Sequence, residues 1–202
     1  MNMTNFLLFL LLTWPLGEAG PPIQRQYELS RGYAVSIHGT MSIHDWVETI
    51  GDVTGELMAS PNSAGGMDLS SIRITMEVRS IKGDMGKTMD NKTYKALKAD
   101  ADPEITFRLV VPVTITPAKG KQPPIALNGQ LTLAGVTRDA TLWVRSLSLA
   151  PDSMRFEGEQ TVNMTDFGVK PPSALFGTLK AAPEIKIFFK TVFTIKQNEH
   201  LQ

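Results

Sequence analysis

The stretch Ile72-Arg73-Ile74-Thr75-Met76-Glu77-Val78-Arg79 carries an apolar side chain at every even position and a polar or charged one at every odd position. A period of two sends these side chains to opposite faces of an extended strand, and it does not make the stripe of a 3.6-residue helical repeat. One face therefore belongs to a core and the other to water. The same alternation recurs along most of the chain. In Ile105-Thr106-Phe107-Arg108-Leu109-Val110-Val111-Pro112-Val113-Thr114-Ile115 the odd positions are apolar, and the spacing predicts one continuous strand. Ile125, Leu127, Leu131 and Leu133 follow the same rule, as do Met154, Phe156, Val162 and Met164, and then Ile185, Ile187, Phe189, Phe193 and Ile195. Shorter candidates lie upstream at 33–38, 44–50 and 53–59, while 139–149 is less regular.

Turn-forming residues separate these runs: Pro61-Asn62 with Gly65-Gly66, Pro117 with Gly120 and Pro123-Pro124, Ala134-Gly135, and Pro151-Asp152. Connections of this kind make hairpins. A helix is predicted at about 85–98, where Met89, Tyr94 and Leu97 share a helical face, and a second short helical turn at 172–179. The result is an all-β chain of roughly eight long antiparallel strands. Strands of this length leave long open edges in a flat sheet, so closure into a barrel is favoured.

The composition removes several functions. Among 202 residues, 20 Lys and Arg balance 20 Asp and Glu, so there is no basic excess to hold a nucleic acid. With no cysteine there are no disulfides, thiolate zinc sites, iron–sulfur clusters or cysteine nucleophile. The apolar run Phe6-Leu7-Leu8-Phe9-Leu10-Leu11-Leu12, followed by Gly17 and Ala19, reads as a secretory signal peptide over 1–19. A transmembrane helix needs about 20 apolar residues, and this run is shorter. The mature chain is then one domain, 20–202, expected in the periplasm or secreted.

Catalytic chemistry finds little support. His38 and His44 with Asp45 lack the helical spacing of zinc ligands, and His44-Asp45-Trp46 instead suits a turn held by side-chain hydrogen bonds, with Trp46 in the core or at a cavity mouth. His200 lies in a polar tail. No Gly-x-Ser-x-Gly elbow is present, and Gly83-Asp84-Met85-Gly86 matches no phosphate-binding loop. Lys82, Lys87, Lys92, Lys95 and Lys98 alternate with Asp84, Asp90, Asp100 and Asp102, a solvated face that could also touch an anionic lipid surface. Neither a catalytic residue nor a metal site is predicted.

Three motifs in order carry a resemblance to a known family. The first runs from Ser71 through Val78, then Lys92-Thr93-Tyr94-Lys95-Ala96-Leu97-Lys98, to Ala101-Asp102-Pro103-Glu104-Ile105-Thr106-Phe107. The second is Gly129-Gln130-Leu131-Thr132-Leu133-Ala134-Gly135-Val136-Thr137, and the third Met164-Thr165-Asp166-Phe167-Gly168-Val169. Together they resemble the YceI-like family over about 27–196. The resemblance implies a lipocalin-like, eight-stranded antiparallel barrel, exported and non-enzymatic, that needs no cofactor and holds an isoprenoid, a quinone-like lipid or another long-chain amphiphile in its lumen. The apolar strand faces would supply that lumen through Ile72, Ile74, Met76, Val78, Phe107, Leu109, Leu131, Phe156, Val162, Phe189 and Phe193, with Trp46 beside them. Of Phe188 and Phe189, the period points Phe189 inward. A hydrocarbon gains about 0.8 kcal/mol per methylene buried in such a wall. The same alternation also suits a barrel filled by its own side chains, acting as a structural or interaction module of the cell envelope. A homodimer and a transient contact with a membrane surface are left open.

Overall fold

The computed structural model describes residues 23–42, 44–117, 123–174 and 179–196. The predicted signal peptide and His200 lie outside these residues. The chain forms β1 (Arg25–Leu29), β2 (Ala34–Met41), β3 (Asp45–Ile50), β4 (Val53–Pro61), β5 (Met67–Glu77) and β6 (Ile81–Gly83) before its helix, α1 (Lys87–Ala96). After the helix come β7 (Glu104–Leu109), β8 (Val113–Ile115), β9 (Ile125–Leu133), β10 (Val136–Leu149), β11 (Ser153–Asn163), β12 (Ser173–Ala174) and β13 (Leu179–Ile195).

Several of these segments are halves of longer strands. β1 continues into β2, β3 into β4, β5 into β6 and β7 into β8, each pair pairing with the same neighbouring strand or strand pair across its break. Together with β9, β10, β11 and β13 they make eight long strands, each antiparallel to the next in the chain. The last strand, β13, returns to the first, pairing Phe189 with Val35 in β2 and Ile195 with Tyr27 in β1. This is the closed eight-stranded barrel that the resemblance implied, and closure removes the exposed edges.

The breaks have local causes. Between β3 and β4, the Tyr33 hydroxyl donates to the Gly51 carbonyl at 2.8 Å and accepts from the Val53 N–H at 3.0 Å, so one side chain satisfies two backbone groups that leave the ladder. Within β5 the extra residue Ser70 faces a register shift between Met58 and Ala59. The bulge reverses the side-chain parity, so Met67 and Leu69 point inward before it and Ile72 and Ile74 after it. The expectation of one unbroken strand over 105–115 is corrected at Pro112, which has no N–H for a ladder. Val110 and Val111 turn outward there, and both N–H groups donate to the Asn128 carbonyl.

The predicted helix is observed as Lys87–Ala96. Its Tyr94 is buried and donates through its hydroxyl to the Ile81 carbonyl at 2.8 Å, and Ala96 and Leu97 pack into the core and share the lining of one internal space with Ile105 and Leu133, so α1 covers one end of the barrel. Lys98 ties the helix end to the β9–β10 hairpin by donating to the Ala134 carbonyl at 3.1 Å. That hairpin turns on Ala134 and Gly135, both at positive φ, as a two-residue turn matched to strand twist requires. The second helical turn expected at 172–179 is not what forms at its start, because Ser173 and Ala174 pair with Lys180 and Leu179 as β12. The opposite end of the barrel is sealed by Tyr27, Leu57 and Met154, all fully buried, with the Tyr27 hydroxyl donating to the Pro151 carbonyl at 2.8 Å.

Candidate functional site

The inward side chains of the barrel do not meet everywhere. Ile74, Met76, Leu142, Ile187 and Phe189 occupy inward positions yet are only partly buried, and all of them line an internal cavity. This cavity, of about 110 Å³, lies in the middle of the barrel and is completed by Val35, Val53, Leu69, Ile72, Phe107, Ile115, Leu127, Leu131, Val144, Phe156, Val162 and Phe193. Among the described residues, Gln160 and Thr191 are the polar side chains on its lining. A second cavity of about 70 Å³ sits under α1, lined by Ile37, Trp46, Glu48, Ile50, Thr93, Leu97, Ile105, Leu133, Met164, Val169 and Ile185 among others. Met76, Leu131, Val162 and Ile187 line both, so these side chains are the partition between them.

A smaller pocket of about 20 Å³ shares Trp46, Glu48, Thr93 and Pro172 with the second cavity and adds Met41, Val47, Gly83, Asp84, Met85 and Met89. Val47 and Met85 are 37% and 39% exposed. The three spaces therefore form a row from the middle of the barrel to the surface, emerging between β3 and the start of α1.

The structure brings together most of the side chains expected on the lumen. Ile72, Ile74, Met76, Phe107, Leu131, Phe156, Val162, Phe189 and Phe193 line the central cavity, and Trp46 lines the one under α1. Phe188 is the outward member of its pair, with its ring edge-to-face against His38 at 4.8 Å. Val78 and Leu109 line neither cavity. Val78 lies in the short 3-10 turn Val78–Ser80, which takes its side chain out of the strand row into solid packing, where it is 1% exposed. Leu109 is the last residue of β7, beside the break at Pro112, and packs against the core at the margin of the lumen.

Gln160 and Glu48 are polar residues on the inner face, where the parity of their strands places them although the apolar pattern does not mark them. Gln160 stands two positions from Val162, and its side-chain carbonyl oxygen is buried with no donor among the described residues. Glu48 stands between Trp46 and Ile50 on the inward row of β3 and is 5% exposed. Thr93 of α1 donates to its carboxylate at 2.7 Å. Burial pushes the Glu48 carboxyl above its ordinary pKa; the Thr93 hydrogen bond opposes this, and the nearby Asp90 and Asp84 add to it.

Trp46 lies over Gly39 on the paired strand, so closely that a Cβ at residue 39 would stand 2.2 Å from the indole ring. Its Nε1–H is buried and has no acceptor among the described residues. The histidines are otherwise engaged: His38 Nε2 is 2.9 Å from the Ser36 hydroxyl, and His44 Nδ1 donates to the Asp45 carbonyl at 2.9 Å.

Known proteins share this architecture. BcnA of Burkholderia cenocepacia superposes with a TM-score of 0.58 at 20% identity, covering 79% of this chain and 95% of that one. A polyisoprenoid binding domain from Saccharophagus degradans, implicated in plant cell wall breakdown, gives a TM-score of 0.61 at 9% identity over 84% of this chain and 98% of that one. The YceI protein of Campylobacter jejuni gives 0.57 at 18% identity, covering 75% and 85%. No curated protein matches the chain. At these identities the structural likeness carries the fold, and the family model for the YceI-like domain matches residues 30–193. With its motifs in order on a closed barrel capped by one helix, the chain belongs to the YceI-like family.

Proposed function

We propose that this protein is an exported, non-enzymatic binding protein that holds a long-chain amphiphile, an isoprenoid or quinone-like lipid, in the barrel lumen with its mouth beside α1. The observation that carries this reading is the row of internal cavities, apolar along the barrel apart from Gln160 and Thr191, and lined by Glu48, Thr93 and Asp84 where it nears the surface. The name of the Saccharophagus relative, a polyisoprenoid binding domain, supports the ligand class. Export is supported by Phe6–Leu12 with Gly17 and Ala19.

The central space of about 110 Å³ is smaller than the roughly 300–1,000 Å³ of most small-molecule pockets. A chain therefore enters by moving the partition. Met76 is the member suited to that, because an unbranched thioether side chain changes rotamer easily. The same small volume favours the second reading, a barrel filled by its own side chains that serves as an interaction module of the envelope.

Organic extraction of protein purified from its native source, followed by mass spectrometry, separates the two. A stoichiometric long-chain amphiphile is expected. Replacing Ile74 by Trp fills the central cavity, so the variant should lose most of its bound lipid while its thermal stability changes little. An empty extract, together with an Ile74→Trp loss of the roughly 1–3 kcal/mol typical of overpacking a solid core, would overturn the lipid reading.

A further inference from the structure

We infer that Trp46, Glu48 and Thr93 form a head-group site at the mouth of the lumen, selective for a small uncharged head bearing a hydroxyl or carbonyl oxygen and hostile to a phosphate. This rests on the lumen being the lipid site. All three residues line both the cavity under α1 and the pocket that leads outward from it, so a chain threaded along the barrel leaves its head among them. The Trp46 indole N–H can only donate, and with no acceptor among the described residues it has an unmet hydrogen bond. A hydroxyl or carbonyl oxygen on a ligand would meet it.

Glu48 offers the complementary group. It makes no ion pair among the described residues, and Thr93 bonds one of its oxygens at 2.7 Å. Burial beside Asp90 and Asp84 favours its neutral form, which donates to an oxygen; its charged form accepts from a hydroxyl. Either state suits an alcohol. The surroundings are unfavourable for an anion, because Asp90 is buried next to Glu48 and Asp84 lines the outward pocket. Lys82, the cation paired with Asp90, is turned to it at 3.7 Å and to the Tyr94 hydroxyl. A phosphate drawn into this pocket would meet the like charge of Asp84 and Asp90, and neither the cavity under α1 nor the outward pocket has a lysine or arginine among its described lining residues.

The test compares three probes that share one tail: geranylgeraniol, geranylgeranyl monophosphate and the parent hydrocarbon, bound to delipidated protein and measured by native mass spectrometry and competition. The alcohol should bind about fivefold tighter than the hydrocarbon, the gain of one good hydrogen bond, and the phosphate weakest of the three. Trp46→Phe should cost the alcohol about fivefold more affinity than it costs the hydrocarbon, which removes the advantage of the alcohol, and Glu48→Gln should raise phosphate affinity. Phosphate binding as tightly as the alcohol, or a Trp46→Phe loss shared equally by alcohol and hydrocarbon, overturns the head-group site alone. Failure of all three probes, the hydrocarbon included, overturns the lipid reading beneath it. Should Trp46→Phe not fold, the ranking of the probes on the wild type and on Glu48→Gln decides the matter.

Discussion

Glu48 is a carboxyl group on the inner row of an apolar barrel, a position where its charged form is poorly solvated. Gly83 makes room for it from the opposite strand, where a Cβ would stand 3.1 Å from Glu48 Cγ. Because burial raises its pKa in the folded chain above the unfolded value of about 4.3, its contribution to stability is fully present below that value and is lost as the pH rises through the raised one. Glu48→Gln keeps the acceptor for Thr93 and removes the titration. Denaturant unfolding of both proteins at a series of pH values should therefore show the wild type losing ground to Glu48→Gln from about pH 4.3 upward. Asp84, Asp90 and Lys82 are common to both proteins and cancel to first order in that difference. A difference that stays flat, or that favours the wild type at higher pH, would mean that the carboxyl is solvated in the folded state.

At the scale of strands, the inner wall repeatedly sets a glycine opposite a large side chain: Gly39 faces Trp46, Gly55 faces Ile74, and Gly158 faces Phe189. Missing side chains let the large neighbour lie flat on the backbone and let the strand coil as closure demands. Of these three, Gly158 is the one whose added Cβ would also meet backbone, standing 2.5 Å from both the Phe189 ring and the Trp143 carbonyl oxygen. The ring can rotate, but the carbonyl belongs to the paired strand. Gly158→Ala should cost about 1–3 kcal/mol in denaturant unfolding. Gly51→Ala, whose Cβ would meet its nearest atom at an ordinary 3.5 Å, should be close to neutral; equal losses at the two sites would remove the steric explanation.

These elements also show where sequence reasoning stops. Alternation located most strands, because burial of one face imposes a period of two whatever the partner. It missed β1, whose five residues offer only Tyr27 and Leu29 as apolar markers. Pro112 was visible, yet its effect depended on the Asn128 carbonyl receiving the N–H groups of Val110 and Val111 from a strand nearby in space but not in sequence. The inward apolar side chains were legible for the same reason as the strands. Glu48 was not, since a glutamate on an apolar row resembles a surface residue until Gly83 opens space beside it and Thr93 reaches it from α1.

The whole molecule is asymmetric along its axis. One end is sealed by Tyr27, Leu57 and Met154, and the other carries the mouth, exposed Val47 and Met85, and the lysines of α1. Lys82, Lys92 and Lys98 already have partners in Asp90 and the carbonyls of Ser173 and Ala134. Lys87 and Lys95 are exposed. A lipid leaving through this end must cross water unless the mouth meets a membrane, and a lysine near an anionic surface contributes about 1 kcal/mol of attraction. Transfer of a fluorescent isoprenoid from loaded protein to vesicles should therefore be faster with phosphatidylglycerol than with phosphatidylcholine. K87E with K95E should abolish the difference without lowering the amount of lipid bound, and high salt should do the same, because exposed charges separated by more than about 8–10 Å are screened at moderate ionic strength. Equal rates on both vesicles, unchanged by K87E and K95E, would place release in the aqueous phase and detach the lysines of α1 from the path of the ligand.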